Sequence, residues 1–203
     1  MKKLMSVLFA GSLVSLVACN SGSSSQDSVD SAKDANDSAM KNNAFDSTKD
    51  SSMITKTTDT LSKSDANWVV EVANAGMTEV ELSKVAQQKA TSDRLKSFAN
   101  MMVTDHSKAG DQLKQIAATK SLTLPATLSN DSQKKLDDLN KKSGKDFDKE
   151  YEDDMLAGHK KAFDKFEDGS KNLKDADLKS FATQTLPTIQ MHQDSIKAIT
   201  GKK

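Results

Sequence analysis

The chain has 203 residues, enough for one ordinary domain with appendages, and its 29 basic side chains balance its 29 acidic ones. That balance gives no electrostatic case for nucleic acid or for an anionic membrane surface as partner. Aromatic residues make up 4% of the chain and prolines number two, a composition that suits helices better than sheets, which draw on aromatic and β-branched side chains.

The first 19 residues read as an address. Lys2 and Lys3 precede an apolar run from Leu4 to Val17, short for a bilayer span, that closes in Leu16-Val17-Ala18-Cys19. This ending resembles a bacterial lipobox, which implies cleavage before Cys19, lipidation of its thiol, and an acylated N-terminus that anchors the protein to a membrane. Cys19 is the single cysteine, so no disulfide is expected. Asn20 at the next position favours the outer membrane, with the domain in the periplasm. Residues 20–64 are dominated by Ser, Asp, Lys, Thr, Ala and Asn and have too few apolar side chains to form a core, so a disordered tether is expected. As a flexible coil it would span about 35–40 Å.

Over residues 65–200 the apolar spacing becomes helical. The first helix is predicted from a cap at Ser64 or Asp65 to about Ala90, with Val69, Val72, Gly76, Ser83 and Ala86 on one stripe. The second, capped by Ser92 or Asp93, carries Leu95, Phe98, Met102, His106, Ala109, Leu113 and Ile116. Leu-Pro-Ala at 124–126 breaks the pattern, and a short helix around Leu136 and Leu139 stops near Ser143-Gly144. The third helix carries Phe147, Tyr151, Met155, His159, Ala162 and Phe166 and ends near Gly169. The fourth carries Leu178, Phe181, Thr185, Ile189, His192, Ile196 and Ile199, with Pro187 inside it. Two tight helical pairs joined by a long connection describe an all-α, ferritin-like four-helix bundle with a crossover.

All three histidines fall on these stripes, and Glu79 lies in the stripe of the first helix. At a rise of 1.5 Å per residue, Glu79 and His106 are about 18 and 22 Å from the turn near Thr91, and His159 and His192 about 22 and 27 Å from the turn near Lys174. A core site fed by all four helices is therefore expected. The Glu-x-x-His pairs of a di-iron centre are missing; instead Met102 and Met155 stand four residues before His106 and His159. Imidazole and thioether together point to a transition metal, copper first, with His106, His159, His192, Glu79, Met102, Met155 and Asp105 as candidate ligands and Asp105 or Asp154 as outer-shell acceptors. The competing reading is a purely structural polar core, in which the histidines hydrogen-bond to Glu79 and the methionines fill space, on a module that docks another envelope protein. No nucleophile motif, phosphate loop or complete di-iron set is present, so an enzyme is not expected.

The stretches GMTEVELSKVA (76–86), FANMMVTDHSKAGDQLKQIA (98–117), FDKEYEDDMLAGHKKAFDKFE (147–167) and LKSFATQTLPTIQMH (178–192) together resemble the bacterial envelope family catalogued as domain of unknown function 4142. The resemblance implies a ferritin-like bundle on an exported, outer-membrane protein of no established activity, with recurring features at Glu79, Asp105-His106, Met155, His159, Pro187 and His192. Gly158 departs from the family pattern, where many relatives carry an aspartate that would offer a further ligand.

Overall fold

In the computed structural model, residues 26–46 and 61–202 are described. They form six helices: α1 (Ser28–Asp46), α2 (Lys63–Lys89), α3 (Asp93–Thr119), α4 (Asn130–Asn140), α5 (Gly144–Asn172) and α6 (Ala176–Thr200). The predicted signal segment, with Cys19, and residues 47–60 lie outside the described part.

Three of the four long helices, α2, α3 and α6, begin at a side-chain cap, and α5 begins at Ser143 without one. Ser62 accepts from the Asp65 amide, Ser92 from the Leu95 amide, and Asp175 from the amides of Asp177 and Leu178; each bond satisfies one of the donors that a helix start leaves unpaired. The helix predicted from Ser64 or Asp65 thus starts two residues earlier, because Asp65 is used elsewhere. Its buried carboxylate accepts from the amides of Lys174 at 2.9 Å and Asp175 at 2.7 Å, joining the start of α2 to the α5–α6 turn. Pro187 lies inside α6, where it lacks the amide that would bond to residue 183.

The helices α2 and α3 form one hairpin, and α5 and α6 the other. The hairpins face each other with α2 on α5 and α3 on α6, and the segment between them, including α4, runs the length of the bundle. Its start, at Leu122 and Leu124, packs on one apolar cluster and its end, at Leu139, belongs to another. This is the ferritin-like connectivity expected from the two tight turns and the long connection.

The core is divided into two apolar clusters. One holds Leu82, Leu95, Phe98, Met102, Tyr151, Met155 and Ile196; the other holds Trp68, Val72, Leu113, Phe166, Phe181 and Ile189. Along every bundle helix an inward ionisable side chain stands between the two clusters: Glu79 on α2, His106 on α3, His159 on α5 and His192 on α6. In the second cluster, the Trp68 indole donates to the Lys165 carbonyl at 3.2 Å and lies so close to α5 that a Cβ at position 169 would come within 2.9 Å of its nitrogen. Glycine at 169 is what lets the ring reach that carbonyl.

The tether expected over residues 20–64 needs correction. Residues Ser28–Asp46 of it form α1, which packs on α2. Among its described side chains, residues 28–42, Ala32 and Asn36 are the buried ones, so no apolar stripe runs along that part. Polar contacts hold the helix instead. Asn36 donates to the Thr123 carbonyl at 3.0 Å and accepts from the Thr123 amide at 2.7 Å, Lys33 pairs with Glu71 at 2.7 Å, and Asp27 caps α1 while accepting from the Asn130 amide at 2.6 Å. An amide matched to both backbone groups of one residue replaces the hydrophobic staple that composition analysis looks for.

Candidate metal centre

The four polar side chains between the two apolar clusters meet in one layer. The ring centroids of His106, His159 and His192 lie 5.2 to 5.7 Å apart. One nitrogen from each ring forms a triangle with no side longer than 4.8 Å. Helical rise explains the convergence: the offsets from the two turns that looked similar within each hairpin are brought to a common depth by the crossover.

Each ring uses its other nitrogen outward. The Nδ1 of His159 donates to the Met155 carbonyl at 2.9 Å, which fixes the proton on Nδ1 and leaves a lone pair on Nε2. The Nε2 of His192 donates to Asp105 Oδ2 at 2.9 Å, which leaves the lone pair on Nδ1. The Nδ1 of His106 lies 3.2 Å from Glu79 Oε2, and Glu79 Oε1 is 3.6 Å from His159 Nδ1. The inner nitrogens, His106 Nε2, His159 Nε2 and His192 Nδ1, are buried and have no hydrogen-bond partner; among the described residues the one other buried side-chain nitrogen or oxygen in that position is Asp37 Oδ1. Buried polar atoms are paired in the great majority of cases. Here the exceptions gather at one point, one from each of three helices.

Burial also sets the charge state of the layer. Desolvation, reinforced by the neighbouring imidazoles His159 and His192, lowers the His106 pKa to about 3. Desolvation lowers that of His159 to about 4 against the opposing bond to Met155, with His192 adding to the drop. Desolvation raises Glu79 to about 8. Neutral imidazoles are the form that binds metals. The direction fits the position of the His106 and His159 rings, which are packed among one another and the apolar clusters and away from water.

The sequence candidates therefore divide by role. Each of the three histidines brings one unpaired buried nitrogen to the layer in which the rings meet. Glu79 and Asp105 stand behind two of the rings as outer acceptors. Met155 reaches the layer through its backbone carbonyl, and the Met102 and Met155 side chains pack in the apolar cluster with Leu82, Phe98 and Tyr151. Asp154, expected as a possible outer partner, pairs with Lys135 instead. Gly158 has a role that sequence reasoning did not find. A Cβ there would lie 2.9 Å from Glu79 Oε1, so the missing side chain is the space that the inward carboxylate of α2 occupies. An aspartate at this position would compete with Glu79 for that space.

Over residues 50–199 the sequence matches the family described as "Domain of unknown function (DUF4142)". The chain belongs to this family. No curated protein matches the sequence. Among solved structures, a DUF305 fragment from Deinococcus radiodurans is similar to this DUF4142 chain with a TM-score of 0.62 at 10% identity, covering 70% of this chain and 97% of that one. At that identity the likeness concerns the fold, and it supports the all-helical, ferritin-like architecture. No helix among the described residues is long and apolar enough to cross a membrane.

Proposed function

We propose that this DUF4142 protein binds one transition-metal ion in the bundle core through His106 Nε2, His159 Nε2 and His192 Nδ1. The observation that carries the reading is the set of three inner nitrogens, each buried and unpaired, those of His159 and His192 held in the metal-binding tautomer by an outward hydrogen bond and that of His106 backed by Glu79 at 3.2 Å. That outward acceptor is the usual companion of a metal-bound histidine. A structural polar core would instead spend these nitrogens on one another or on Glu79. The donor set also fits in size. An ion at about 2.0–2.1 Å from each nitrogen wants donors roughly 3.3–3.6 Å apart, so a triangle with sides up to 4.8 Å closes with small rotations of the rings.

Three imidazoles without thiolate suit copper, zinc, nickel or iron, and in open competition the affinity order places copper first. The lipobox at Cys19 supports the further proposal that the bundle is lipid-anchored in the cell envelope, and Cys19→Ser releasing the protein from the membrane fraction would test that separately. For the metal, equilibrium dialysis of the purified protein against equimolar Cu(II), Zn(II) and Ni(II) is the test. One equivalent of ion, mainly copper, is expected on the wild type and none on the His106→Ala/His159→Ala/His192→Ala variant. Equal loading of the two proteins would reject the site.

A further inference from the structure

The histidine layer borders a cavity. Three imidazoles fill three positions of a four-coordinate ion, and sites with three protein ligands keep the fourth for an exogenous molecule. Beside the layer lies a cavity of about 990 Å³ among α2, α3, α5, α6 and the crossover, lined at one place by Glu79, Asp105, His106 and His192. Elsewhere its walls are largely apolar and belong to the Trp68 cluster: Val72, Leu113, Phe166, Phe181 and Ile189. Its volume is at the upper end of the range of small-molecule sites. His192 is buried and its Nδ1 is unpaired, and His192 lines this space. Two helices also thin their walls here. Gly76 on α2 and Gly110 on α3 both line the cavity, and a Cβ at either would meet nothing within 4 Å.

We propose that the bound ion keeps a coordination position open to this cavity and takes there a small monocarboxylate with an alkyl body. This rests on the metal reading above and adds the ligand class. The carboxylate supplies the donor that the ion lacks. The chain lies along the apolar wall, which gains by covering Val72, Phe166 and Phe181 from water. Without the ion the same end of the cavity presents the Asp105 carboxylate, which disfavours an anion, so binding of the carboxylate requires the metal.

The test is a chain-length series, acetate, butanoate, hexanoate and octanoate, titrated calorimetrically into copper-loaded and metal-free protein. On the loaded wild type, affinity is expected to rise with length, by up to about fourfold per buried methylene, and no binding is expected without metal. Gly76→Leu and Gly110→Leu place a side chain in the cavity and should flatten the series while leaving the copper stoichiometry at one. Circular dichroism verifies that each variant folds, and the two substitutions on different helices back each other. A flat series on the loaded wild type, a rise that persists in both leucine variants, or equal binding to the metal-free protein would overturn the proposal. Failure of copper to bind at all is a separate result that rejects the metal site itself.

Discussion

Replacing His159 with leucine separates a metal site from a structural polar core, because the two readings give opposite signs. His159 is fully buried, with Nδ1 bonded to the Met155 carbonyl and Nε2 unpaired. Leucine is close to histidine in size and removes both nitrogens. Losing the Nδ1 bond costs about 0.5–1.5 kcal/mol, whereas removing an unpaired buried nitrogen returns about 1–3 kcal/mol. The Met155 carbonyl is not orphaned, since it still accepts the α-helical bond from the amide four residues on. Leucine also adds apolar contact with neighbouring Phe98, whose ring centroid is 6.3 Å from that of His159. The metal-free variant is therefore expected to be more stable than metal-free wild type by about 1–2 kcal/mol. For a chain of this size that raises the melting temperature by roughly 2–8 °C. With copper at about one hundred times its dissociation constant the wild type gains about 2.7 kcal/mol, and the variant, left with two imidazoles, gains little. The order of the two melting curves should then reverse between chelator and copper, as followed by circular dichroism. A metal-free variant that melts below wild type, together with a wild type indifferent to copper, would refute the reasoning and make the layer a structural cluster.

Other consequences are checked by similar means. Gly169→Ala drives a methyl to 2.9 Å from the Trp68 indole nitrogen and 3.1 Å from Leu173, so overpacking of about 1–3 kcal/mol should outweigh the gain in helix propensity. Gly110→Ala meets open space and should stabilise by up to about 1 kcal/mol; urea midpoints moving in the same direction for both would contradict the packing described. Asn36→Ala removes both bonds to Thr123, and hydrogen exchange should show α1 losing protection while α2 to α6 keep theirs. Tyr151 is the single tyrosine; burial raises its pKa, against the opposing effect of its bond with Ser83. A folded-state pKa above the unfolded value near 10 means that its contribution is complete below that pH and is lost as the pH rises past it, at about 1.4 kcal/mol per pH unit. Tyrosinate absorbance should therefore appear together with loss of helicity. A one-proton titration near pH 10 with helicity intact would count against the burial of Tyr151.

The fold was legible because the stripes are long: a cap at Ser92 and the apolar steps of three and four from Leu95 to Ile116 leave little choice about α3, and those from Leu178 to Ile199 about α6. The inward histidines and Glu79 were legible for the same reason, as polar residues in positions otherwise reserved for the core. Two things were not. Helix α1 is held by an asparagine matched to one backbone residue 87 positions away, and no local pattern announces such a contact. The roles within the cluster depend on which nitrogen of each ring turns inward. That is set by the Met155 carbonyl and by the carboxylates of Asp105 and Glu79, so sequence spacing named Met102, Met155, Glu79 and Asp105 as ligands alongside the histidines, whereas the geometry puts Glu79, Asp105 and the Met155 carbonyl behind the rings. The space for Glu79, made by the absence of a side chain at Gly158, is likewise a property of two helices facing each other.

The most direct measurement is electron paramagnetic resonance of the protein loaded with one equivalent of Cu(II). Superhyperfine coupling to three imidazole nitrogens is expected for the wild type, reduced by one nitrogen in His159→Leu and again in the variant that also lacks His192. A spectrum of solvated copper, or nitrogen coupling that survives removal of all three histidines, would contradict the site.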